Sequence, residues 1–147
     1  MTVANVSATA APSQATMQID LNHPDLIETY TQGDCYALAR ALHEVTGWPL
    51  LAVLALKDDE ILGWTHMGVR HPSGAFLDVE GSWSDEDTLI NYGWWWGVRD
   101  ASWEVVDLDH AEYLRLTKML KRGPRRWNTW DTMCVARAVA QAARQEA

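Results

Sequence analysis

Phenylalanine occurs once and cysteine only twice in this chain of 147 residues, and no stretch approaches the roughly 20 apolar residues of a membrane-spanning helix. The two cysteines, Cys35 and Cys134, are too few and too far apart for a disulfide framework or a repeated metal-ligand spacing, which points to a reducing compartment. No metal or other cofactor is expected. Basic residues are also scarce: 12 Lys+Arg against 20 Asp+Glu leave a net charge of −8. A field of that sign repels nucleic-acid phosphate and anionic membrane, which argues against both as partners. The opening "MTVANVSATAAPSQAT" has neither the cationic start nor the apolar run of a secretory signal. Residues 1–16 therefore read as a disordered tail, and the expected location is cytoplasmic. A hydrophobic content of 48% supplies a core for one domain over residues 17–147.

What is present reads as helix, then sheet, then helices, an α+β pattern. "HPDLIETY" (23–30) suggests a short helix or turn. From Cys35, the residues Leu38, Ala41, Leu42 and Val45 fall at helical spacing, and Gly47 with Pro49 supplies a stop. "LLAVLAL" (50–56) fits a strand buried on both faces, and "KDDE" a turn. Residues 61–71 and 75–81 around "PSG" read as an antiparallel hairpin. Residues 82–97 carry turn and helix-start signals without a clear period. "SWEVVDL" (102–108) alternates like a strand, and Asp109 with Glu112 forms a capping box before a helix that Gly123 and Pro124 end. Residues 129–145 make a final Ala-rich helix. His23, His71 and His110 lie beside prolines or in a helix's first turn and are expected to be solvated.

In "GDCYALARALHEVTG" (33–47), Cys35 stands at a helix start, where the helix dipole stabilises a thiolate. A small core residue and a nucleophile both fit that position. A nucleophile needs an imidazole close in space, and His43 lies roughly 12 Å along the same helix. His66, on a strand, is the better candidate. Side chains alternate along strands, so a three-residue "PSG" loop pairs Arg70 with Phe76, Gly68 with Asp78 and His66 with Glu80. Asp78 is then the diagonal neighbour of His66, with Gly68 leaving space between them. An even loop length would turn Asp78 to the other face. Otherwise Asp78 reads as a hairpin carboxylate satisfied locally or by Arg70.

The order "GDCYALARALHEVTGWPL", "THMGVRHPSG", "FLDVEG" resembles the core of the papain-like and transglutaminase-like superfamily, and is similar to compact papain-fold toxin and effector domains. The resemblance covers roughly residues 31–82. It implies a Cys-bearing helix packed on an antiparallel sheet, and thiol-dependent acyl transfer on a protein or peptide amide, as peptidase, deamidase or transamidase. Carried over by position, Cys35 is the nucleophile, His66 the general base and then acid, and Asp78 the orienting acid. The oxyanion would be met by the Cys35 backbone N–H and the Gln32 side chain. Asp34, directly before Cys35, is a departure from the pattern and reads as an N-cap.

Nine tryptophans stand out in a chain with one phenylalanine. Trp64 and Trp83 flank the candidate site and are placed to wall its cleft. Trp94, Trp95 and Trp96 are consecutive, so they cannot all face one core, and at least one, with Trp95 the candidate for substrate binding, should line a surface, groove or partner. The alternative is aromatic core filling. Residues 115–126 carry six basic and no acidic side chains. Such a run reads as a solvated helix end or a contact for an acidic protein partner. The rival to an enzyme is a non-catalytic domain of the same fold that binds a protein through the Trp-rich surface.

Overall fold

In this computed structural model, residues 3–7, 16–91, 101–118 and 128–145 are described. Among them the chain runs β1 (Val3–Ser7), β2 (Thr16–Asp20), α1 (Pro24–Thr31), α2 (Cys35–Thr46), β3 (Leu50–Lys57), β4 (Glu60–Arg70), β5 (Phe76–Asp78), β6 (Gly81–Trp83), α3 (Glu86–Asn91), β7 (Ser102–Leu108), α4 (His110–Thr117) and α5 (Thr132–Gln145). The fold is α+β. β1 and β2 form a separate two-stranded ribbon, and an antiparallel sheet of order β6-β5-β4-β3-β7 forms the centre. The expected disordered tail is corrected at Val3–Ser7, which pairs with Thr16–Asp20.

Local chemistry explains the ends of the elements. Pro24 occupies the first turn of α1, where a missing N–H costs nothing, and His23 caps it by accepting from the Asp25 N–H at 3.1 Å. Gly47 closes α2 in the left-handed conformation (φ 74°). Asp58 and Asp59, both at positive φ, make the two-residue turn between β3 and β4. The Asp109–Glu112 capping box opens α4, with bonds of 2.8 and 3.1 Å. α5 starts at Thr132, three residues later than the composition suggests, because Asp131 caps it by accepting from the Cys134 N–H.

β3 is buried on both faces because each face has its own core. Leu50, Ala52, Leu54, Met67, Val69 and Leu77 face α2 and α5. Leu51, Val53 and Phe76 face the other way, against Leu89 of α3, with Trp83, Trp103 and Val105 packed around them. His71 is corrected from solvated to buried, at 3% exposure. Its Nε2 donates to the Ala143 carbonyl (3.1 Å) and its Nδ1 accepts from the Ser73 N–H (3.1 Å), which ties the hairpin loop to α5. Among the described residues no helix is long and apolar enough to cross a membrane.

Gly68 lies under the Phe76 ring and the Leu77 carbonyl, so a Cβ there meets both. Gly68→Ala is expected to lower stability by about 1–3 kcal/mol through overpacking, measured as a drop in the urea unfolding midpoint; an unchanged midpoint contradicts the packing described.

Candidate active site

The hairpin register sets the site. Arg70 pairs with Phe76 and Val69 with Leu77, and the His71 N–H donates to the Ala75 carbonyl at 2.9 Å, which closes a three-residue loop of Pro72, Ser73 and Gly74. His66, Gly68, Phe76 and Asp78 consequently share one face. β5 ends at Asp78, and its pairing with β4 stops at Val69 and Leu77. His66 therefore lies on a stretch of β4 without a β5 partner beside it, where the start of α2 can reach its ring.

His66 Nε2 donates to Asp78 Oδ2 at 2.6 Å, and the two side chains are only 13% and 4% exposed. Asp78 Oδ1 accepts from the Glu80 N–H (2.9 Å) and from Trp83 Nε1 (3.0 Å). Three donors thus hold this carboxylate in one orientation. The His66 ring stacks on Phe76 with centroids 5.5 Å apart and planes at 22°. The space above Gly68 is accordingly filled by the Phe76 ring, not left open. The Cys35 side chain lies within interaction range of the His66 ring. With Nε2 engaged by Asp78, Nδ1 is the ring nitrogen left for a second partner. Burial works against a charged imidazole here, but the bond to Asp78 and the electrostatic influence of Asp78 and Cys35 outweigh it, and the His66 pKa is pushed up to about 10.

Cys35 is the first residue of α2 and is 4% exposed. Asp34 occupies the cap position, but its side chain makes no capping bond. This corrects the N-cap expectation. The carboxylate, fully buried, instead accepts from Asn128 Nδ2 at 2.8 Å. Asn128 also reaches the Tyr30 hydroxyl (3.4 Å), which bonds Thr132 Oγ1 at 2.7 Å. A charged side chain with zero exposure follows its strongest donor, and that donor comes from the segment before α5 rather than from the helix end.

The other expected site residues are divided. Trp83 lines the cleft with Thr31, Thr65, His66, Asp78, Glu80 and Leu89. Trp64 does not line it. Val53 pairs with His66 but Leu54 pairs with Trp64, so Thr65 is an extra, bulged residue that sends His66 and Trp64 to opposite faces. Trp64 packs edge-on to Tyr36 and donates to the Leu116 carbonyl at 3.1 Å. Gln32 is exposed and lines a different depression with Asp25, Glu28 and Trp130. Arg70 is taken by Asp107 (2.6 Å) and the Gly74 carbonyl, so it is not the partner of Asp78. Trp94, Trp95 and Trp96 lie outside the described residues, as do residues 119–127 of the basic segment; Arg115 and Lys118 are exposed. Glu80 and Phe76 are site residues that motif reasoning did not single out, although the register argument already set Glu80 opposite His66. Among the described residues no cluster of His, Cys, Asp and Glu is arranged to hold a metal ion.

Because the folded-state pKa of His66 lies above its ordinary value of 6.5, its charged form stabilises the fold fully below about pH 6.5, and that contribution is lost as pH rises towards 10. The urea midpoint of the wild-type protein relative to His66→Gln is expected to fall across that window; a gap that does not change with pH contradicts a charged His66. Trp83→Phe, which removes one donor from buried Asp78, should cost about 1–3 kcal/mol by the same measurement.

Comparison with protein-family models, with curated proteins and with solved structures found no match, so the functional reading rests on this constellation of residues.

Proposed function

We propose that this protein carries out thiol-dependent acyl transfer on an amide, with Cys35 as nucleophile, His66 as general base and acid, and Asp78 as the group that orients His66. One observation carries the reading: a buried imidazole bonded at 2.6 Å to a buried carboxylate, with a thiol at a helix N-terminus within interaction range of its ring. A buried imidazole with a strongly raised pKa beside a cleft is a mark of a reactive site. The resemblance to papain-like and transglutaminase-like domains adds to this reading.

The chemistry follows from the geometry. With its proton on His66 Nδ1, the Cys35 sulfur attacks the amide carbonyl carbon, and the carbonyl π electrons move to oxygen. The backbone N–H of Cys35, in the first turn of α2, has no intrahelical acceptor and is the donor for that oxyanion. His66 then gives its proton to the departing nitrogen as the C–N bond breaks, leaving a thioester. Water or an amine attacks the thioester, its proton passes to His66, and the thiolate is expelled. Water makes the protein a peptidase or deamidase, and an amine makes it a transamidase.

A second reading, a non-catalytic domain that binds a protein partner, draws on the 4% exposure of Cys35. Alkylation separates the two. Iodoacetamide at neutral pH is expected to modify Cys35 ahead of Cys134, and His66→Ala to slow that reaction by about 100-fold, the range for losing a proton-transfer partner. Peptide mapping that finds Cys35 unmodified, or modified equally fast without His66, overturns the enzyme reading.

A further inference from the structure

β4 is an interior strand over only part of its length. β3 pairs with it all the way from Val69 to Glu60, whereas β5 pairs with it only at Arg70 and Val69 and then turns away into β6. Among the described residues the outer edge of β4 from Glu60 to Gly68 therefore has no strand beside it. An open edge offers backbone N–H and C=O groups to an extended chain laid alongside. Three large apolar side chains are exposed among the described residues, and two of them, Ile61 (40%) and Leu62 (50%), sit on this stretch. A Cβ on Gly63 would meet nothing within 4 Å, so the strand is uncovered there too. Thr65 and His66 line the cleft shared with Asp78 and Trp83, and the open stretch thus ends at that cleft. At its other end the exposed turn and strand start carry Asp58, Asp59 and Glu60 against the one ammonium of Lys57.

Shape and charge select the occupant. A second copy of the chain is disfavoured, because molecules of net charge −8 repel one another. β4 is also bulged at Thr65 and again at Leu62, since Ala55 pairs with Gly63 but Leu56 with Ile61. Bulges bend an edge so that the regular strand of another folded domain pairs with it poorly. A flexible peptide follows the bend. The three carboxylates at the far end call for a basic side chain on that peptide.

We propose that the outer edge of β4 from Ile61 to Thr65 takes an extended, unfolded polypeptide segment as an added strand, with a Lys or Arg of that segment over Asp58, Asp59 and Glu60. Five strand residues span about 17 Å, so the basic residue stands about five positions from the residue that reaches the His66 cleft. The pairing itself uses only the sheet. Resting on the triad reading, it also names the substrate class: a flexible, basic segment of a protein rather than a folded surface.

The test titrates the isotope-labelled full chain with the peptide acetyl-Arg-Thr-Val-Thr-Val-Gln-amide and follows backbone amides by NMR. Shifts are expected over Ile61–Thr65. Every second residue of an added strand faces β4, so N-methylating one alternate set of peptide nitrogens should weaken binding by about 10-fold or more, as the loss of backbone hydrogen bonds implies. Methylating the other set should change it by less than about 3-fold. Asp58→Asn combined with Asp59→Gly suits the same turn, and should weaken this peptide about 3-fold without affecting a peptide with glutamine in place of arginine. Shifts confined to other residues, no binding at millimolar peptide, or the same affinity with both methylated sets overturns the proposal. Dimerisation of the chain through Ile61–Thr65 without peptide overturns it as well. Peptide bound at β4 of a chain whose Cys35 alkylates no faster than Cys134 leaves the added strand standing and overturns the triad; a reactive Cys35 with no shift along β4 does the reverse.

Discussion

The register between β4 and β5 is the constraint on which the site depends. Pairing Arg70 with Phe76 puts Asp78 on the His66 face, and a slip of one residue would move Asp78 to the core occupied by Leu77 and Val79. Three features pin that register: the three-residue loop closed by His71 and Ala75, the Gly68 backbone on which the Phe76 ring rests, and the hold of His71 on α5. None of these residues reacts. Each fixes the 2.6 Å bond between His66 and Asp78.

That bond is not chiefly a device for stability. Removing an imidazolium and a carboxylate from water costs several kcal/mol per ion, and an apolar pair of similar volume is often as stable. The fold meets the cost with three donors on Asp78 and a stacked ring against His66. It buries a second carboxylate, Asp34, within one residue of the thiol and answers it with the Asn128 amide. Its tether joins the start of α2 to the segment before α5. The position of Cys35 is thereby coupled to the packing of two helices.

Much of the fold was legible because local signals agreed with one another. Gly47 and Pro49 after an apolar helical stripe, the capping box at Asp109 and Glu112, and the apolar run of β3 each state a local preference that tertiary packing did not override. The His66–Asp78 pairing was legible for the same reason, since parity across an odd loop is a local property. Features that depend on contacts far along the chain were not. The bulge at Thr65 has no sequence mark, and it separates Trp64 from a cleft that alternation would have it share with His66. Asp34 has a good capping residue's chemistry, yet its partner Asn128 lies 94 positions away. His71 sits beside a turn proline, and only α5, distant in sequence, buries it. β6 and α3 are so short that no period could form within them, and residues 82–97 consequently gave no clear reading.

His66, bonded to the Asp78 carboxylate beside Cys35, is held as a charged imidazolium. Nitrogen NMR of the histidine rings across pH tests it most directly. Both His66 nitrogens should carry protons at neutral pH and keep them well above the ordinary histidine pKa of about 6.5, towards the value of about 10. A His66 ring that has already lost a proton at neutral pH contradicts it.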